Sequence, residues 1–178
     1  CAQSENESLK NGDCASEKCH ELPDKSGIKI KRGGENMGKI LLINGANLNR
    51  IGKRDPSLYG GKGLDYIVDK VKEYAAGYDI QVDAFQSNHE GEIVDKIQEA
   101  DGVYDGIIIN PGPFTQYSHA IRVTLGTVDI PTVEVHLVNI LKTGEPTVPG
   151  KNCTGVICGF GINCYLLGVD AIRHEMNK

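Results

Sequence analysis

From residue 39 onward, short apolar runs alternate with longer stretches whose apolar positions recur at helical spacing. Residues 39–44 read Lys-Ile-Leu-Leu-Ile-Asn, a continuous apolar run that predicts a strand buried on both faces. Residues 64–76 predict an amphipathic helix with Ile67, Val68, Val71 and Ala75 on its inward face. A second strand is expected over 80–85 and a second helix over 90–100, with Ile93, Val94 and Ile97 inward. The apolar run 106–109 predicts a third strand that ends at Asn110-Pro111-Gly112, and 115–125 a third helix. Strands over 131–136 and 155–158 and a closing helix over 162–175 complete the pattern.

Apolar strands alternating with helices imply right-handed crossovers and a parallel sheet covered on both faces. The expected architecture is therefore α/β: a flavodoxin-like, three-layer, doubly wound parallel sheet of five strands. The domain runs over 37–178. Residues 1–36 are polar, lack periodic apolar positions and contain Gly33-Gly34, so they are expected to form a flexible extension. Met37-Gly38-Lys39 has the form of a natural start. That reading is favoured over one in which Cys1 carries a lipid after signal-peptide cleavage.

A chain of 178 residues with 39% hydrophobic and 24% charged residues can bury a core without staples. A net charge of -5 gives no reason to expect a nucleic-acid partner. No apolar run approaches the roughly 20 residues that span a bilayer, so no membrane partner is expected either. Cys153, Cys158 and Cys164 lie in an apolar, glycine-rich stretch and read as buried small hydrophobes of a reducing, cytoplasmic compartment. Cys14, Cys19 and His20 have the chemistry of metal ligands, but the gap is unusual and no second pair follows, so no metal is assigned.

In a doubly wound sheet, ligands bind beyond the carboxyl ends of the strands, where strand order reverses. The polar residues at those ends are Asn44 to Asn47, Asn110 and the pair Glu134 and His136. Alternation along the strand puts Glu134 and His136 on one side and Val133 and Val135 on the other. A carboxylate beside an imidazole fixes its tautomer and favours its protonated form, which suits a general acid. A structural edge pair is the competing reading. The loop 48–62 is long and carries Arg50, Lys53, Arg54 and Tyr59. Long loops at this edge are often lids, and a guanidinium brought against a phenol favours tyrosinate, a strong base. A solvated basic loop is the alternative.

Several stretches in register resemble the type II 3-dehydroquinate dehydratases, from about residue 39 to 172. They are Asn-Gly-Ala-Asn-Leu-Asn at 44–49, Arg-Asp-Pro-Ser-Leu-Tyr-Gly at 54–60 and Phe-Gln-Ser-Asn-His-Glu-Gly-Glu at 85–92. Gly-Ile-Ile-Ile-Asn-Pro-Gly at 106–112, Glu-Val-His at 134–136 and Gly-Val-Ile-Cys-Gly-Phe-Gly at 155–161 follow. The resemblance implies a hydro-lyase of the shikimate pathway, serving aromatic amino acid biosynthesis. It would convert 3-dehydroquinate to 3-dehydroshikimate through an enolate, without cofactor or metal. It implies Tyr59 as base, assisted by Arg54; Asn47 holding the water that steadies the enolate; and His136, oriented by Glu134, as acid. Asn110 and the backbone N–H groups of Leu137 and Val138 would bind the substrate carboxylate, and Gln116 would meet the ring hydroxyls. A trimer-based homododecamer is implied as well.

The chain also departs from that family's pattern. Gln116 stands where the family has a histidine, Val138 where it has a serine and Val123 where it has an acidic residue. Ala46 replaces a usual proline, and 140–150 contains no arginine where the family has an arginine-rich stretch. A hydrogen bond to a charged group is worth roughly 1.5–3 kcal/mol, so the missing arginine together with a weakened contact at Gln116 would cost about 2–5 kcal/mol in affinity or rate. Two alternatives therefore stay open: a diverged lyase acting on a related cyclic β-hydroxy ketone, and a decayed homologue that only binds.

Overall fold

The computed structural model describes residues 37–54, 56, 61–144 and 147–178. The expected extension over 1–36, with Cys14, Cys19 and His20, lies outside the described residues, as does Tyr59. Glu35–Lys178 forms one compact unit. Its strands are β1 (Gly38–Asn44), β2 (Ile80–Gln86), β3 (Gly106–Asn110), β4 (Thr132–His136) and β5 (Gly155–Cys158). Among the described residues the longer helices are α1 (Leu64–Ala76), α2 (Glu90–Gln98), α3 (His119–Leu125) and α4 (Asn163–Glu175). All strand pairs are parallel and the order across the sheet is β2-β1-β3-β4-β5, the doubly wound arrangement expected from the alternation.

Helices cover both faces. One core joins Ile40, Leu42, Ile108, Val133 and Val135 to Ile67 and Val71 of α1 and Val169 and Ile172 of α4. The other joins Leu41, Ile43, Ile107 and Ile109 to Ile93 and Ile97 of α2 and Ile121 and Leu125 of α3. β1 and β3 contribute to both cores because successive side chains point to opposite faces, which is why their sequences are uninterrupted apolar runs. α1 buries Ile67, Val71 and Ala75, a stripe of three residues spaced four apart against the sheet. Val68 and Val94, expected inward, are only partly buried at the edges of their stripes. α2 begins with Glu90 and Glu92 and carries Lys96 in its last turn, which complements the helix dipole.

The third helix is shorter than its sequence suggests. Gly112–Gln116 is a 3-10 turn, Tyr117 leaves the helical region, and α3 starts only after Ser118, whose hydroxyl accepts from Ile121 N at 2.9 Å. Pro113 withholds an N–H from the turn, and the Ser118 cap fixes a later start. The second helix likewise stops at Gln98 rather than 100. Of the C-terminal cysteines, Cys164 is buried, whereas Cys153 and Cys158 are partly exposed near the edge strand β5.

Candidate active site

β1 lies between β2 and β3, so the chain winds one way into β2 and the other way into β3. The order reverses between β1 and β3, where Asn44 sits opposite Asn110 in the parallel register. One strand further on, Glu134 lies opposite Ile109 and His136 follows at the end of β4. The polar strand ends therefore share one edge, at the switch point where such sheets open a crevice.

The loops after β1 and β3 touch backbone to backbone. Gly45 N donates to Asn110 O at 2.7 Å. A side chain at Gly45 would collide with the Pro111 carbonyl, and one at Gly112, whose φ is +61°, would stand 2.6 Å from Ala46 O. Asn47 then turns into the left-handed region at φ 66°, and its N–H donates to Asn88 Oδ1 at 2.9 Å. Asn88 Oδ1 also accepts from Gln86 Nε2, which reaches Gly45 O. The segment after β2 thus holds the loop after β1 in place. Asn47 itself is exposed at the rim.

Glu134 and His136 point to the same face, as alternation requires, and meet: His136 Nε2 lies 2.5 Å from Glu134 Oε1. β4 lies inside the sheet, between β3 and β5. Glu134 is fully buried and His136 is 5% exposed. An isolated carboxylate at that depth would be costly, and here its oxygens are occupied. Thr115 Oγ1 donates to Oε1 at 2.5 Å and Thr147 Oγ1 to Oε2 at 2.9 Å. Thr147 Oγ1 in turn accepts from Gly150 N at 3.1 Å, and Val148 N donates to Thr115 O at 2.8 Å. A Cβ on Gly150 would stand 2.9 Å from Glu134 Oε2, so the absence of a side chain lets this segment close over the carboxylate. Burial pushes the nearby Cys153 thiol up, and the Glu134 charge adds to it.

Asn110 is 3% exposed. Its Oδ1 accepts from Gly112 N at 3.1 Å and its Nδ2 donates to the Tyr165 hydroxyl at 2.8 Å. Leu137 and Val138 follow His136 directly, so their backbone continues along the same rim, with Leu137 buried and Val138 partly so. Gln116 ends the 3-10 turn and is exposed. The loop after β1 is anchored by buried Leu48 and Ile51 in a 3-10 turn (Leu48–Lys53), and Arg54 beyond it is exposed.

The structure therefore unites Asn47, Asn110, Glu134, His136, Leu137 and Val138 at one sheet edge. It also adds Thr115, Thr147 and Tyr165, which the sequence reading missed. Tyr165 carried a usable signal: a phenol on the inward face of an otherwise apolar helix needs a partner. Nothing local ties Thr115 or Thr147 to Glu134. Among the described residues no group of three or more His, Cys, Asp or Glu side chains is arranged to hold a metal ion, and no helix is long and apolar enough to cross a membrane.

Residues 38–173 match the family model described as Dehydroquinase class II. A 3-dehydroquinate dehydratase of Bacillus cytotoxicus is 42% identical over 145 residues, covering 80% of this chain and 99% of that protein. One from Thermotoga petrophila is 42% identical over 143 residues, covering 79% and 98%. Among solved structures, the type II dehydroquinase from Butyrivibrio crossotus superposes with a TM-score of 0.73 at 42% identity, covering 76% of this chain and 97% of its own. The type II dehydroquinase from Propionibacterium acnes gives 0.72 at 29% identity, covering 79% and 97%.

Proposed function

This chain belongs to the class II dehydroquinase family, and from that membership we propose that it eliminates water from 3-dehydroquinate to give 3-dehydroshikimate. The observation that carries the reading is the buried Glu134–His136 pair, 2.5 Å apart, at the strand ends beside Asn110. The reaction needs a base to take the proton next to the ketone, a stabiliser for the enolate, and an acid for the departing hydroxyl. Tyr59 serves as base in its tyrosinate form, favoured by the positive charge of Arg54. As the C–H bond breaks, its electron pair moves into the enolate, and a water held by Asn47 bonds the enolate oxygen. The enolate then reforms the ketone and expels the β-hydroxyl, which leaves as water with a proton from His136.

Glu134 keeps the imidazole oriented through Nε2, which leaves Nδ1 as the nitrogen that delivers the proton. Asn110 and the N–H groups of Leu137 and Val138 take the substrate carboxylate, and Gln116 takes a ring hydroxyl. The catalytic domain is 37–178, with 1–36 as a polar extension. The enzyme acts in the shikimate pathway in the cytoplasm and assembles as a trimer-based homo-oligomer, a dodecamer in its full form. Exposed Tyr117, Leu141 and Phe160 support an assembly that covers them.

The test is steady-state ultraviolet absorbance with 3-dehydroquinate, because the product enone absorbs and the substrate does not. Turnover by the wild type, lost in Tyr59→Phe and in His136→Ala, is the expected result. An inactive wild type overturns the reading. Turnover unchanged in Tyr59→Phe removes that residue as base.

A further inference from the structure

Tyr165 is among the largest fully buried side chains of the described residues, and no step of the elimination uses it. It stands in the first half of α4 with its hydroxyl against the ends of β1 and β3. The proton positions in this cluster follow from one fixed donor. The Gly112 N–H can only donate, so the atom of Asn110 facing it at 3.1 Å is the carbonyl Oδ1. That turns Asn110 Nδ2 to the phenol, 2.8 Å away. A hydroxyl oxygen that accepts there sends its own proton onward, and the atom 2.9 Å away is Asn44 Oδ1. Asn44 Nδ2 is thereby turned aside, buried and without a hydrogen-bond partner among the described residues.

Both amide oxygens are thus engaged, and the groups left over are N–H donors: one on Asn110 and two on Asn44. Asn44 owes its orientation to the phenol, and Asn110 is braced by it. Burial raises the Tyr165 phenol well above its ordinary range, so it stays a protonated relay at any working pH.

We propose that Tyr165 is a positioning residue for anion recognition: its buried hydroxyl sets the polarity of the Asn44 amide and braces the Asn110 amide in the orientation that the Gly112 N–H fixes, so that an N–H of Asn110 rather than a carbonyl is left at the strand ends for the substrate carboxylate. The inference rests on the reading of Asn110 as a carboxylate ligand and names what holds that ligand in register. Without the hydroxyl, Asn44 is free to turn its carbonyl outward and Asn110 keeps only one anchor.

The test compares two unreactive probes by calorimetry: the ring acid in which the substrate ketone is reduced to an alcohol, and the carboxamide of that acid. Wild type is expected to prefer the acid. Tyr165→Phe, which keeps the ring packing, binds the acid roughly tenfold more weakly and the carboxamide nearly as before; with 3-dehydroquinate its KM rises while kcat changes little. Equal binding of the acid by both proteins overturns the proposal, and so does a parallel loss for acid and carboxamide, the mark of a merely structural role. Should the variant not fold, nuclear magnetic resonance of the wild type decides. The Tyr165 hydroxyl proton and the Asn110 side-chain amide shift with the acid and not with the carboxamide, or the proposal falls. A wild type that binds the acid selectively, and loses that selectivity in Tyr165→Phe, yet leaves 3-dehydroquinate unchanged, upholds Tyr165 and sinks the activity instead.

Discussion

His136 Nε2 lies 2.5 Å from Glu134 Oε1, two residues back on the same buried strand. Because Oε1 also accepts from Thr115 and Oε2 from Thr147, every neighbour of this carboxyl group donates to it. Glu134→Gln would set an amide N–H against one of those donors and release the imidazole from its orientation. The expected result is a kcat lower by about 10²-fold, the lower end of what a positioned general acid contributes, with KM changed little because Glu134 does not reach the substrate. Steady-state absorbance with 3-dehydroquinate measures both constants, and a kcat within twofold of wild type would refute the assignment.

Thr147 makes the same carboxylate a folding problem. Its hydroxyl bonds Glu134 Oε2 and accepts from Gly150 N, so Thr147→Val keeps the volume and strips both contacts. A hydrogen bond to a charged group contributes about 1.5–3 kcal/mol, and thermal or urea unfolding at neutral pH should show a loss of that size. Thr147→Ser retains the donor and should recover most of it. A valine variant as stable as wild type would mean that Glu134 does not depend on this contact.

The contrast between Glu134 and Thr147 marks what a sequence can and cannot convey. Glu134 and His136 were legible because alternation along one strand is a local rule. The layered parallel sheet was legible for the same reason, since unbroken apolar runs such as 40–43 only make sense between two helical layers. The bonds of Thr115 and Thr147 to Glu134 and of Tyr165 to Asn44 and Asn110 join residues far apart in the chain, and no periodicity records which hydroxyl meets which acceptor. The late start of α3 was hidden because the pattern over 115–125 is helical throughout, while the Ser118 cap and Pro113 decide where the helix begins.

Acid stability should depend on Asp83. The hydrogen bond from Lys39 holds its carboxyl below its ordinary value of 3.8, burial opposes this, and Tyr104 adds a second donor. A carboxyl group whose folded value is depressed stabilises the fold above its ordinary value and loses that contribution as pH falls through the folded one. Asp83→Asn should therefore melt below wild type at pH 7, and the gap should close as pH is lowered past the carboxylate range. Both side chains are partly solvated, so the gap is small and should shrink further in high salt. Melting curves from pH 7 to pH 3 measure it, and a gap that widens toward acid would contradict the sign.

Gln116 offers the cleanest view of substrate fit. It is exposed at the end of the 3-10 turn, next to Thr115, whose hydroxyl holds Glu134 and whose carbonyl accepts from Val148 N. The backbone there is fixed by contacts that do not involve residue 116, so a substitution changes the side chain facing the rim and little else. The family resemblance leads one to expect histidine at this position. Gln116→His exchanges a neutral amide for a ring that also takes a charge, and one improved hydrogen bond is worth about 0.5–1.5 kcal/mol. The expected outcome is a KM for 3-dehydroquinate lowered by roughly two- to twelvefold with kcat unchanged. If KM does not move, the glutamine already serves the ring hydroxyl as well as histidine would. If instead kcat falls while KM holds, the side chain at 116 acts on the Thr115–Glu134–His136 network rather than on the substrate, and its assignment to binding must be given up.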